Sequence, residues 1–117
     1  IDLVFEVDGR YYIVDYKTNR LGNSPQDYDA AALTEAMAHS HYYLQYLIYS
    51  VAVHRHLACR LPGYDYQQHF GGVYYLFLRG MGDHSGHYGV FADRPSLALI
   101  QAFEALLQQG GRHDAAD

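Results

Sequence analysis

Asp8-Gly9, set between two runs of alternating polarity, constrains this chain more than any other feature. An Asp-Gly pair supplies the two positive-φ positions of a type I′ turn, and a two-residue turn of that kind fixes both the pairing and the register of its strands. Ile-Asp-Leu-Val-Phe-Glu-Val before it and Arg-Tyr-Tyr-Ile-Val-Asp-Tyr-Lys after it predict a β-hairpin of residues 1–8 and 10–17. Val7 then faces Arg10, and running the ladder back places Asp2 directly opposite Asp15. Alternation puts Asp2, Val4 and Glu6 on one face with Tyr11, Ile13, Asp15 and Lys17, and leaves Leu3, Phe5, Tyr12 and Val14 on the other.

Beyond the hairpin the period changes. Ser24-Pro25 with Asp27 in the next turn reads as a helix start, and a helix is expected somewhere between 25 and 39. Residues 41–59 carry apolar side chains at 44, 47, 48 and 51, a helical spacing, which makes this the expected longest helix, ended by Pro62-Gly63. Residues 70–78 are dense in Val, Tyr, Phe and Leu and predict a buried strand; 80–89 predict a loop. Pro95 opens a last amphipathic helix with Leu99, Ile100, Phe103, Leu106 and Leu107 on one stripe, closed by Gly110-Gly111. The expected organisation is one domain over 1–109 with a flexible tail over 110–117. Because Ile1 already belongs to a strand pattern, with no turn or cap ahead of it, the domain is expected to be truncated on its N-terminal side.

Two carboxylates and an amine on one sheet face raise a chemical question. Like charges directly opposed across two strands destabilise the sheet, so Asp2 facing Asp15 needs an offset. A divalent cation supplies one, since Mg²⁺ takes one or two carboxylates and keeps positions for water and phosphate oxygens. Lys17, two residues beyond Asp15, can then neutralise charge developing on a phosphate or position a water, and the Tyr16 carbonyl between them is a candidate oxygen ligand. The spacing leaves a second reading open: an exposed sheet edge with an ordinary Asp15–Lys17 surface pair, worth about 0–1 kcal/mol. Gln45 and Tyr49 share a helix face with Tyr42. They can hold a phosphate or the lysine in place, although the pattern by itself favours a solvated polar stripe. His39, His41, His54, His56 and His69 show no closed zinc spacing, and Gly71-Gly72 lacks the Lys-Ser/Thr of a phosphate loop.

Charge argues both ways about the partner. Eight Lys and Arg against thirteen Asp and Glu give a net charge of −5, which opposes binding to a polyanion unless a larger protein supplies the basic channel. No apolar run approaches a membrane span and no leader pattern is visible, so no membrane partner is expected. The single Cys59 excludes an internal disulfide and fits a cytoplasmic location.

Ile1-Asp2, then Asp15-Tyr16-Lys17, then Gln45 with Tyr49 resemble the motifs of the PD-(D/E)XK nuclease superfamily. Tyr-Leu-Gln-Tyr-Leu-Ile-Tyr at 43–49 and His-Phe-Gly-Gly-Val-Tyr-Tyr-Leu-Phe-Leu-Arg-Gly at 69–80 resemble, within it, the RecB-type nuclease domains of bacterial exodeoxyribonuclease V, over residues 1 to about 109. The resemblance implies a restriction-endonuclease-like α/β fold and Mg²⁺-dependent cleavage of DNA, with Mn²⁺ as a substitute. By position it implies metal ligands at Asp2, Asp15 and the Tyr16 carbonyl, catalysis by Asp15 and Lys17, and support from Gln45 and Tyr49. It also implies a metal-binding His, a helix and a first core strand ahead of Ile1, work in double-strand-break repair beside a helicase motor, and partners in DNA, RecC, RecD and the recombinase RecA. The rival expectation is a docking module whose acidic surface engages the recombinase without catalysis.

Overall fold

The computed structural model describes residues 2–82 and 88–116, with side chains as far as 109. Ile1, positions 83–87 of the expected loop and Asp117 lie outside the described residues.

Asp8 and Gly9 have φ of 51° and 84°, the two left-handed positions of a type I′ turn. Around them β1 (Leu3–Val7) and β2 (Arg10–Lys17) pair antiparallel, Val7 opposite Arg10 and Leu3 opposite Val14. The register is the one the turn dictates, and among the described residues regular pairing begins at Leu3. β3 (Phe70–Phe77) lies parallel on the far side of β2, and β4 (Val90–Asp93) closes the sheet antiparallel to β3, in the order β1-β2-β3-β4. Parallel neighbours need a long crossover. Three helices make it: α1 (Ala30–His39), α2 (Tyr42–Arg60) and the short α3 (Tyr66–His69). α4 (Leu97–Ala116) follows β4. The architecture is α/β, a four-stranded mixed sheet with its helices, and none of the helices among the described residues is long and apolar enough to cross a membrane.

The helix start expected at Ser24-Pro25 opens only a 3-10 turn, Pro25–Tyr28, with the Asp27 carboxylate accepting from both the amide and the hydroxyl of Ser24. α1 begins after Asp29, which stays extended and accepts from the Ala32 amide at 2.9 Å. The break lets Tyr28 turn inward: its ring is buried, and its hydroxyl accepts from the Leu21 amide and donates to the Gly22 carbonyl.

Two expectations about the last helix fail. α4 runs through Gly110-Gly111 to Ala116 and, at 20 residues against 19, is longer than α2; glycine lowers helix stability without forbidding helical φ and ψ. The apolar stripe is covered only in part. Ile100 is buried and Phe103 packs against the core, while Leu99, Leu106 and Leu107 are exposed. β4 and α3 carry too little periodicity to be read from sequence and were not expected.

The core lies on the helix-bearing side of the sheet. Ile13, Val73, Tyr75 and Phe77 meet Leu33 and Met37 of α1, Tyr46 and Val51 of α2, and Ile100 of α4. A bulge in β3 makes this possible. Tyr11 pairs with Phe70 but Tyr12 with Gly72, so Gly71 is extra and both Phe70 and Val73 face the helices. Gly71 must be small, since a Cβ there would come within 2.4 Å of the Tyr12 ring.

Candidate active site

The site forms where the hairpin ladder ends. Past the Leu3–Val14 pair, the Asp2 carboxylate reaches across to β2 and accepts a hydrogen bond from the Tyr16 amide at 2.8 Å. Asp2 is thereby held beside Asp15 on the same face, close enough for the two carboxyl groups to shift each other's protonation. Burial first, and then the bond to Asp2, push the Asp15 carboxyl above its ordinary value, while Lys17 pulls it back. Asp2 moves the other way, held down by its bonds to Asp15 and to the Tyr16 amide. A proton settles on Asp15 more readily than on a free aspartate, chiefly because the group is withdrawn from water and further because a second carboxyl lies beside it.

Lys17 completes the group, its Nζ lying 3.2 Å from Asp15 Oδ2. The side chains of Lys17 and Asp15 are only 14% and 7% exposed, so the pair is not the solvent-screened surface bridge left open by the spacing. The Lys17 ammonium sits 4.2 Å from the centre of the Tyr42 ring and 5.3 Å from that of Tyr75. Tyr75 pairs with Asp15 in the β2–β3 ladder, and α2 crosses above both.

Gln45 and Tyr49 do not form a solvated stripe. Both are half-buried against the sheet: Gln45 Oε1 accepts from the Tyr75 hydroxyl at 2.7 Å, and Tyr49 packs against the core. The helical spacing holds, but the face meets the sheet instead of solvent, because the sheet beneath presents a hydroxyl that makes a buried amide acceptable. Tyr16 turns its ring to the opposite face, where it is exposed, and directs its amide to Asp2. Its carbonyl leaves an extended strand on the same side as its amide and so faces the same edge. Tyr75 and Asn19, whose side chain accepts from the Tyr42 hydroxyl at 3.1 Å, were missed. Only the register of β3 against β2 reveals Tyr75, and the turn after Lys17 carries no signal that would single out Asn19.

Among the described residues no three His, Cys, Asp or Glu gather as a metal cage. Two carboxylates beside a backbone carbonyl suit Mg²⁺, which is commonly held by one or two carboxylates with water and substrate phosphate completing its shell. The crowded Asp2–Asp15 pair is itself the observation that fits a cation. A cavity of about 480 Å³ elsewhere, lined by Val4, Tyr11, Val53, His56, Leu57 and Leu61 among others, contains none of these groups.

A sequence model of the PD-(D/E)XK nuclease superfamily matches residues 1–114. The chain is 54% identical over 106 residues to the RecBCD enzyme subunit RecB of Haemophilus influenzae, covering 91% of the chain and 9% of that protein. It is 45% identical over 106 residues to RecB of Escherichia coli, with the same coverage, and 48% identical over 117 residues to RecB of Mycobacterium tuberculosis, covering 94% of the chain and 11% of that protein. The chain thus spans about a tenth of the length of these relatives.

Proposed function

Since the chain belongs to the PD-(D/E)XK nuclease superfamily, we propose that it is the DNA-cleaving domain of a RecBCD-type helicase–nuclease, hydrolysing phosphodiester bonds with Mg²⁺. The observation that carries this reading is the convergence of Asp2, Asp15 and Lys17 at the end of the hairpin, with the Asp2 carboxylate anchored on the Tyr16 amide next to Asp15 and a sheltered ammonium 3.2 Å from Asp15. Asp2, Asp15 and the Tyr16 carbonyl would hold the cation, with Mn²⁺ able to replace Mg²⁺. When bound, that cation polarises the phosphate and lowers the pKa of an attacking water.

The remaining chemistry belongs to the chain. Asp15 and Lys17 are the catalytic pair. The Lys17 ammonium lies where it can meet negative charge developing on the phosphate, and its screening from bulk water strengthens that interaction. Asp15 orients the ammonium through their ion pair. Gln45 and Tyr49 support the site from α2. DNA is the substrate. RecC and RecD follow as partners from the name that the relatives share, and RecA from the family resemblance together with the net charge of −5. A cytoplasmic place of action agrees with all of these.

Single-turnover cleavage of linear DNA by the full-length protein tests the reading. Asp15→Ala and Lys17→Gln abolish cleavage while leaving ATP-driven unwinding unchanged; Gln45→Ala and Tyr49→Phe slow it by roughly 10–100-fold, as groups that orient others do. Cleavage by Asp15→Ala at the wild-type rate would refute the catalytic reading and leave the docking module in its place.

A further inference from the structure

Lysine is among the residues least often found buried, and an ammonium withdrawn from water needs compensation. The Lys17 side chain is 14% exposed, and Asp15 is its ion-pair partner. That single carboxylate cannot account for where the ammonium is held, because a four-carbon stem with three rotatable donors can satisfy one carboxylate from many positions. What narrows the choice is aromatic. The Tyr42 ring lies 4.2 Å and the Tyr75 ring 5.3 Å from Nζ, both within the range in which a ring attracts a cation.

Neither ring is free to move away. Tyr75 is fully buried in β3 and its hydroxyl donates to Gln45 Oε1 at 2.7 Å. The Tyr42 hydroxyl donates to Asn19 Oδ1 at 3.1 Å, and its ring packs on those of Tyr75 and Phe77, with centroids 5.6 and 6.3 Å away. The two rings and the stem of Lys17 thus come from three separate elements, α2, β3 and β2.

We propose that Tyr42 and Tyr75 form an aromatic clamp that positions the Lys17 ammonium for the phosphate, and that Gln45 acts through Tyr75. This rests on the nuclease reading for its purpose but not for its geometry. A ring face attracts the cation without neutralising it, so the ammonium keeps its full charge for the substrate; a second carboxylate in the same place would cancel that charge. Tyr42 and Tyr75 are positioning residues. Gln45, which sequence reasoning places beside the phosphate or the lysine, becomes the anchor of the deeper ring.

Cleavage after Arg10 and Arg20 releases residues 11–20 with Lys17 as their one lysine, so its acylation by an N-hydroxysuccinimide acetate is read from that peptide by mass spectrometry. In the full-length protein, Tyr42→Leu and Tyr75→Leu should each raise the acylation rate of Lys17 several-fold and lower kcat for DNA cleavage at least tenfold, with KM unchanged. Tyr42→Phe, which keeps the ring, should recover most of the kcat lost in Tyr42→Leu. Tyr75→Phe and Gln45→Ala should lose similar amounts, and the double variant no more than either, because both remove one bond. Wild-type acylation and kcat in Tyr42→Leu would overturn the clamp, as would a general rise in KM in place of a fall in kcat; additive losses for Tyr75 and Gln45 would overturn the linkage between them. Should Tyr75→Leu fail to fold, Tyr42→Leu at the half-exposed position decides. If the wild-type protein shows no metal-dependent cleavage, the nuclease reading falls, and the acylation rates still decide the clamp.

Discussion

β1 and β3 both pair with β2, yet Leu3, Val4 and Val7 of β1 are 43%, 41% and 49% exposed, whereas Phe70, Tyr75 and Phe77 of β3 are fully buried. Among the described residues β1 is an edge strand, held by one neighbour and a tight turn, and its part in the site is to bring Asp2 to the end of the ladder. β3 lies between β2 and β4 under the helices and brings Tyr75 beneath Lys17. A group that meets solvent and substrate can ride on an exposed edge. A ring that must stay put under an ammonium needs a packed strand. The two halves of the site are thus supported by regions of very different burial.

Truncation on β3 gives the largest contrast. Phe70 is fully buried, stacks on Tyr66 at 4.9 Å between centroids and stands away from the carboxylates, so Phe70→Ala should cost about 3–5 kcal/mol, read as a fall in the denaturant midpoint. A loss under 1 kcal/mol would mean that β3 is no better packed than β1. Next comes the bulge: Gly71→Ala places a methyl against the Tyr12 ring and should cost about 1–3 kcal/mol. Adding Tyr12→Ala should return part of that loss, and a double variant less stable than Gly71→Ala would locate the strain elsewhere.

A smaller effect with the opposite sign is expected at the carboxylate pair. The Asp15 carboxyl is raised by burial and by its bond to Asp2, so the folded chain holds that proton more tightly than the unfolded one. Ionising Asp15 therefore opposes folding: the group's contribution is present below its unfolded value of 3.8 and is lost as pH rises through the higher folded value. Asp15→Asn should accordingly raise the thermal midpoint by a few degrees at neutral pH in EDTA, and should abolish the further rise that the proposed cation site predicts for the wild type in Mn²⁺. A lower midpoint in EDTA would show that the ion pair with Lys17 outweighs the crowding. The smallest change belongs to the free edge, where Leu3→Thr should shift stability by no more than about 0.5 kcal/mol; a larger loss in a chemical melt would make β1 part of the core.

The site was half legible before the fold was known. Asp2, Asp15 and Lys17 converge through one turn and one alternation, both local, and the observed register is the expected one. Spacing identifies Gln45 and Tyr49 as one helix face and by itself favours solvent for it, while only the family resemblance gives them a supporting place, because helical spacing states which residues point together and is silent about what they point at. The split of the expected 25–39 helix at Asp29 and the continuation of α4 past Gly110-Gly111 show the same limit, since capping groups and glycines permit several outcomes and burial of Tyr28 selects one.

By itself the sequence determined the Asp8-Gly9 hairpin, the face shared by two carboxylates and an amine, a helix over 41–59 where the structure has Tyr42–Arg60, and the buried character of β3. Each depends on interactions within a turn or a short period of chain, where residue type limits the backbone to few conformations. The tertiary structure alone decided that β3 lies parallel to β2 with a bulge at Gly71, and so that Tyr75 pairs with Asp15. It also decided that α2 turns Tyr42 and Gln45 inward over that pair. These contacts join residues about thirty to sixty positions apart in the chain, and their geometry comes from packing the whole core at once, which no local pattern encodes.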